Sequence, residues 1–260
     1  MKKILILGAG KMGSWLAESL CLDFDVAIHD KELKKLRYFF KTKRLVSSYE
    51  MHEFAPDIMI NAVNLHKTIE AFEEVMPLLP EECILADIAS VKNGLQDFYS
   101  RSGRRFVSTH PMFGPTFGNV KELKNENAVI IKESDPEGKA FFRSFYESFD
   151  LNIFEYSFDM HDKTIAYSLS IPFSSTMVFA ACMKKLEVPG TTFKKHLDIA
   201  KGLLSEDDYL LTEILFNPYT LEQVENINSR LNDLIGLIQK KNGEGIREFL
   251  NMLRENIQMS

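Results

Sequence analysis

The run Ile4-Leu-Ile-Leu7, followed without a spacer by Gly8-Ala-Gly-Lys-Met-Gly13, constrains the fold of this chain more than any other stretch. A short continuous apolar segment is the pattern of a strand buried on both faces of a parallel sheet, and Ser14 to Leu22 continues with helical spacing. Glycines at such a strand-to-helix junction let the backbone turn tightly and approach a pyrophosphate, whose charge then rests on the helix amino terminus. Gly8, Gly10, Lys11, Met12 and Gly13 are therefore candidate cofactor contacts. The next apolar strand, Val26-Ala-Ile28, leads to Asp30, where a carboxylate would accept hydrogen bonds from the adenosine ribose and favour NAD over NADP. Lys31, Lys34 and Lys35 pull the other way, since a nearby cation can accommodate a 2′-phosphate.

The alternation of strand and helix persists through Arg44-Leu-Val46, Asp57 to Val63, a helix from about Lys67 to Met76, Cys83 to Ala86 and Phe106 to Thr109. After a loop, Ala128 to Ile131, a helix from Pro136 to Phe149 and Leu151 to Phe154 complete the pattern. The expected fold is α/β: a Rossmann-like, doubly wound parallel sheet over residues 1–156, followed by an all-helical domain over 157–260. Such sheets bind ligands at the carboxyl ends of their strands. Asn61-Ala62-Val63 and Asp87 to Ser90 fall at that edge, so Ala62, Val63 and Ser90 join the candidate cofactor contacts.

From Asp159 onward only helical periodicity is found. Asp159 is the expected N-cap, with Asp162 in the first turn, and Pro189-Gly190, Asn217-Pro218 and Asn242-Gly243 break the chain into further helices. Leu221, Val224, Ile227, Leu231, Leu234 and Ile238 recur every three or four residues. These helices are too apolar for isolated surface elements. A homodimer through them is expected, with packing inside one monomer as the alternative.

Composition removes several classes of function. A net charge of −6, spread along the chain, offers no basic stripe for a nucleic acid. Cys21, Cys83 and Cys182 are too far apart for a zinc site and odd in number, so no metal is expected and reduced thiols in a cytoplasmic protein are. The first apolar run is too short for a signal peptide. Leu169 to Met183, interrupted by Pro172, reads as too short to span a bilayer, so no membrane partner is expected.

The sheet edge also carries the chemistry. His110 ends the strand Phe106 to Thr109 and opens a loop held by Pro111, Gly114, Pro115 and Gly118. An isolated histidine would read as an ordinary core or loop residue. At this edge, where a nicotinamide would lie, a neutral imidazole can instead take the proton of a substrate hydroxyl as hydride leaves the same carbon. Ser90 is the expected N-cap of a helix beginning Val91-Lys-Asn, its hydroxyl left free to orient His110 or touch the nicotinamide, and Lys92 in that first turn reads as a solvated charge.

In this order Gly8 to Gly13, Asp87-Ile-Ala-Ser-Val-Lys92, Thr109-His-Pro-Met-Phe-Gly-Pro115 and His161-Asp162 resemble the prephenate dehydrogenase family of tyrosine biosynthesis, over nearly the whole chain. The resemblance implies an oxidoreductase in which His110 is the catalytic base and Ser90 supports it beside the nicotinamide. It further implies that Thr116 and His161 meet the substrate and that the protein dimerises through its helices. The implied reaction is oxidative decarboxylation of prephenate to 4-hydroxyphenylpyruvate with reduction of NAD.

Two departures bear on the substrate. Where the family has an arginine for a substrate carboxylate this chain has Lys201-Gly202, and where it has a histidine after Ser168-Leu-Ser-Ile-Pro172 this chain has Phe173. Lys194, Lys195, His196 and Lys201 are candidate replacements, though for each a solvated helix charge is the commoner reading, and Lys201 is the one placed in the substrate site. Arogenate, the amino analogue, stays open as substrate. So do a related hydroxyacid dehydrogenase or imine reductase, and a binding protein that holds NAD without catalysis. No fused mutase or separate regulatory domain is expected within this length.

Overall fold

The computed structural model describes residues 1–113, 123–184 and 187–258. The chain divides into two compact units, Met1–Lys163 and Thr164–Ser260. In the first, β1 (Lys3–Leu7), α1 (Lys11–Leu20), β2 (Asp25–His29), β3 (Lys43–Arg44), α2 (Ser48–Phe54), β4 (Ile58–Asn61) and α3 (Thr68–Val75) form the amino-terminal half. Next come β5 (Ile84–Asp87), α4 (Leu95–Ser102), β6 (Phe106–Pro111), β7 (Asn127–Ile131), α5 (Pro136–Glu147), β8 (Asn152–Tyr156) and the start of α6 (Phe158–Ile165).

The eight strands make one sheet in the order β3-β2-β1-β4-β5-β6-β7-β8, so the chain reverses direction of travel across the sheet after β3, beside β1. That is the topological switch at which such sheets bind ligands. Apolar residues alternate strictly along β1. Ile4 and Ile6 join a core with Trp15, Leu16, Phe142 and Tyr146, while Leu5 and Leu7 join another with Met59, Phe72, Phe98 and Tyr99. Both faces are therefore covered, which is why the strands read as unbroken apolar runs.

One strand junction departs from the parallel expectation. β7 pairs with β6 antiparallel, with Val129 opposite His110, and β8 then follows β7 in parallel. The remaining pairs are parallel, and their register aligns Leu7 with His29 and with Asn61, Asn61 with Asp87, and Asp87 with Ser108. A single row of paired residues thus crosses the sheet just inside the edge that carries Asp30, Ala62, Ile88 and His110.

Two expected helix starts lie elsewhere. Ser157, not Asp159, caps α6: its hydroxyl accepts from the Met160 amide at 3.1 Å and its carbonyl from the His161 amide at 2.9 Å. Ser90 caps no helix, because the backbone stays irregular through Gly94 and α4 begins only at Leu95. Gly94 takes the left-handed conformation there (φ +72°), which delays the helix by a full turn beyond the expected position.

The second unit continues from α6 through a π-helical turn (Ala166–Ser170) into α7 (Ile171–Ala181), then α8 (Thr191–Leu203), α9 (Asp208–Leu215), α10 (Thr220–Gln239) and α11 (Gly243–Gln258). The unit boundary falls after Lys163, later than the change of period at 156/157, because Phe158 belongs to the second core of the sheet. Pro172 does not stop the helix as its missing N–H would suggest. The π turn directly before it absorbs the lost bond, and the helix runs unbroken from Phe158 to Ala181. Its 24 residues are, by length and composition only, enough to cross a bilayer, a longer run than the Leu169 to Met183 segment read from the sequence.

Candidate active site

The glycines of the first turn have three different reasons to be glycine. Gly8 sits at φ +96°, and a Cβ on it would lie 2.7 Å from the Ala62 carbonyl oxygen. Gly13 is pressed against the turn itself, where a Cβ would stand 1.9 Å from the Gly8 oxygen. Among the described residues, a Cβ at Gly10 would meet nothing within 4 Å. That open approach, at the N-cap of α1 with no side chain closing the helix end and no acid in its first turn, fits the pyrophosphate of a dinucleotide. Lys11 and Met12 form the first turn of the helix beside it.

A cavity of about 690 Å³ extends from this turn, lined by Gly8, Gly10, Asp30, Ala62 and Val63 among others. Asp30 is fixed from two sides: one carboxylate oxygen accepts from the Ala9 amide at 2.8 Å and the other from the Glu32 amide at 2.7 Å. The loop opposite is held by Asn61, which donates to the Thr68 carbonyl at 2.9 Å and accepts from the Val63 amide at 3.3 Å. Five of the residues expected from sequence to contact a cofactor thus line one cavity.

The second constellation stands at the end of β6. The His110 and His161 rings, both buried, approach edge to face at 5.2 Å between centroids, with His110 Nδ1 3.0 Å from His161 Nε2. His161 Nδ1 lies 3.2 Å from an Asp162 oxygen. Burial foremost, then the neighbouring His161 and Lys92, holds the His110 pKa well below the ordinary value of 6.5. Burial likewise lowers that of His161, against the pull of Asp162. Both rings are therefore neutral, and a carboxylate can only accept. Asp162 fixes the proton of His161 on Nδ1, the bare Nε2 of His161 fixes the proton of His110 on Nδ1, and the Nε2 of His110 keeps its lone pair. The chain of bonds leaves His110 Nε2 unprotonated and able to accept a proton.

Beneath it lies a buried ion pair. Lys92 and Asp87 side chains are both fully buried, Nζ to Oδ1 2.7 Å, and Lys92 also donates to the Thr109 carbonyl at 2.7 Å. Tyr99 donates to the other Asp87 oxygen at 2.7 Å, and burial raises its pKa well above the usual phenol value. The Ala89 amide donates to Asp87 at 3.0 Å. Thr109 donates to the Asp87 carbonyl at 3.2 Å and shares a hydrogen bond with Tyr146 at 2.8 Å. Lys92 is thus not the solvated charge its sequence context indicated. The late start of α4 leaves it in an irregular segment whose side chain turns inward, and its cation holds the backbone one residue before His110.

With this geometry in view, residues 32–149 match the nucleotide-binding domain of prephenate dehydrogenases. The chain is thus similar, over somewhat less than half of its length, to the nucleotide-binding domain of that family. It is 22% identical to a probable arogenate/prephenate dehydrogenase of Methanocaldococcus jannaschii, over 96% of this chain and 59% of that protein. The prephenate dehydrogenase of Aquifex aeolicus, crystallised with hydroxyphenyl propionate and NAD+, shares its fold at a TM-score of 0.85 and 19% identity, covering 100% of this chain and 99% of that one. An arogenate dehydrogenase of Synechocystis superposes at 0.77 and 19% identity, with 99% of each chain covered. The chain spans about three fifths of the length of the first two curated relatives it matches.

Of the residues that the family resemblance assigned, His110 and His161 are in direct contact. Ser90 is half-buried in the irregular segment between β5 and α4. Thr116 lies outside the described residues. Lys201 belongs to the second unit, exposed on α8 with its Nζ 3.7 Å from an Asp198 oxygen. Asp162 and the Asp87–Lys92–Tyr99 network were not singled out as site residues from sequence. The available signal was Asp87 itself, an acid ending an apolar strand with a lysine five positions on, which a buried strand end tolerates only if paired.

Proposed function

We propose that the protein is an NAD-dependent dehydrogenase that oxidises and decarboxylates prephenate to 4-hydroxyphenylpyruvate in tyrosine biosynthesis. The observation that carries this reading is the Asp162–His161–His110 chain, which leaves an unprotonated imidazole nitrogen at the carboxyl edge of a dinucleotide-type sheet. Gly8, Gly10, Asp30, Ala62 and Val63 would hold the dinucleotide, and its nicotinamide supplies the hydride acceptor. His110 removes the proton of the ring hydroxyl as that carbon becomes a carbonyl. His161 and Asp162 stabilise the charge that then develops on His110. The ring carboxylate leaves as CO₂, the carbonyl oxygen is reprotonated as a phenol, and aromatisation drives the sequence.

The protein would act in the cytoplasm, in keeping with its three unpaired cysteines. It would act as a homodimer through the second unit, whose exposed Val178, Ile199, Phe216 and Leu221 favour association; light scattering would report the mass. The decisive assay follows reduced-nicotinamide absorbance with prephenate and with arogenate, each with NAD⁺ and NADP⁺. Turnover is expected with prephenate and NAD⁺, and His110→Asn should lower kcat by roughly 10²- to 10⁴-fold while NAD⁺ still binds. Turnover with arogenate alone would move the substrate to the amino analogue. Silence with both would overturn the reading.

A further inference from the structure

The adenosine end of the cavity is crowded with charge of both signs. Lys31, Lys35 and Lys67 line it, the cations that would be needed to receive a 2′-phosphate, yet each is already engaged. Lys31 reaches Glu74 at 2.6 Å and Glu70 at 3.9 Å, Lys67 reaches Glu70 at 2.7 Å, and Lys35 reaches Glu32 at 2.7 Å with Asp30 at 3.7 Å. Glu70 and Glu74 are one turn apart on α3 and both line the cavity. Their spacing puts two carboxylates on one helical face, opposite the residues that follow β2.

We infer that Glu32, Glu70 and Glu74 are specificity-determining residues that exclude a 2′-phosphorylated dinucleotide by holding Lys31, Lys35 and Lys67 in pairs. This rests on the dinucleotide reading of the cavity and goes beyond the selection by Asp30. A carboxylate at the ribose end alone disfavours a phosphate only by its own repulsion. With three lysines close by, that repulsion would be cancelled if they were free. Paired, they leave the phosphate two unfavourable options: to displace a glutamate from its lysine, or to enter beside four carboxylates. The pairing is reflected in the groups themselves, since Glu32 and Glu70 are held below the usual carboxylate range by Lys35 and Lys67, and Lys31 is raised by Glu74. A ribose with two free hydroxyls meets neither obstacle, because it needs only the Asp30 oxygens.

The test is calorimetric titration of the full chain with NAD⁺ and NADP⁺, in the native protein and in Glu70→Gln/Glu74→Gln. All four side chains of the Lys31, Lys67, Glu70 and Glu74 cluster are more than half exposed, so the double variant keeps the fold. The native protein should bind NAD⁺ the more tightly. Freeing two lysines, each worth up to about fivefold at an exposed pair, should tighten NADP⁺ by roughly tenfold in the double variant, with NAD⁺ moving less than about twofold. Adding Lys31→Ala should reverse most of that gain, and the gain should shrink in high salt. An unchanged NADP⁺ to NAD⁺ ratio in the double variant, or equal binding of both by the native protein, would overturn the inference while leaving the dinucleotide site standing. Failure of both dinucleotides to bind the native protein would remove the site itself.

Discussion

Replacing His161 by phenylalanine isolates what the histidine pair contributes. The substitution keeps an aromatic ring edge-on to His110 at the observed 5.2 Å and 64° but deletes the acceptor 3.0 Å from His110 Nδ1. Because both rings are buried, with His161 fully enclosed, no water replaces the lost partner without cost. A buried N–H without an acceptor is penalised by roughly 1–3 kcal/mol. Taking about 2 kcal/mol, the tautomer with its proton on Nδ1 becomes the minor form, and His110 Nε2 carries a proton in place of the lone pair. The expected loss in kcat is roughly 30-fold, with the Kd for NAD⁺ unchanged. His161→Gln, whose amide oxygen can still accept, should recover part of that loss. Steady-state turnover beside calorimetric NAD⁺ binding separates the possibilities. A kcat within twofold of the native value in the phenylalanine variant would show that His161 does not set the tautomer, and an equal fall in NAD⁺ affinity would make its role structural.

Three other outcomes are expected. Gly10→Ala should leave the melting temperature unchanged, since none of the described residues lies within 4 Å of the added methyl, while weakening NAD⁺ by roughly tenfold or more; Gly13→Ala, 1.9 Å from a carbonyl oxygen, should lower the melting temperature outright. Lys92→Met strands Asp87 without its cation, which costs about 3 kcal/mol, visible in thermal melts. It also removes a charge that lowers the His110 pKa, so the acid limb of kcat/KM should move to higher pH. In the native protein His110 and His161 are both depressed below 6.5, so the unfolded chain binds more protons than the folded one just below that pH. Stability should therefore be full above pH 6.5 and fall as the pH drops towards the folded-state values, a trend that denaturant titrations at several pH values would check.

The parts of this molecule that sequence exposes are those in which one residue answers to one local demand. Gly8, Gly10 and Gly13 are readable because a strand, a turn and a helix follow one another with no intervening residue. Asp30 is readable because it ends the next strand. The sheet follows from unbroken apolar runs, except at β7, where nothing in Ala128-Val-Ile-Ile131 distinguishes a parallel from an antiparallel neighbour. The misread positions depend on partners distant in sequence. Lys92 looks like a surface charge until Asp87 and the Thr109 carbonyl close on it, and Ser90 looks like a cap until Gly94 delays the helix. His161 came only from the family resemblance, because its contact with His110 spans 51 residues.

The charges around His110 oppose one another in a way that suits a base better than a binding group. Burial and the Lys92 cation keep the imidazole neutral before reaction, so it is ready to accept a proton at neutral pH. The same two influences would make the protonated ring costly if nothing answered them. Asp162 answers them, but only through His161, by a hydrogen bond that strengthens as positive charge appears on the first ring. Before proton transfer that bond joins two neutral rings and contributes modestly; after it, it joins a cation to a relay ending in a carboxylate. In the proposed reaction the stabilisation is thus concentrated where charge develops, which would lower the barrier without tightening the ground state. It follows that Asp162→Asn should act on kcat more than on KM, whereas a residue that merely grips substrate would do the reverse.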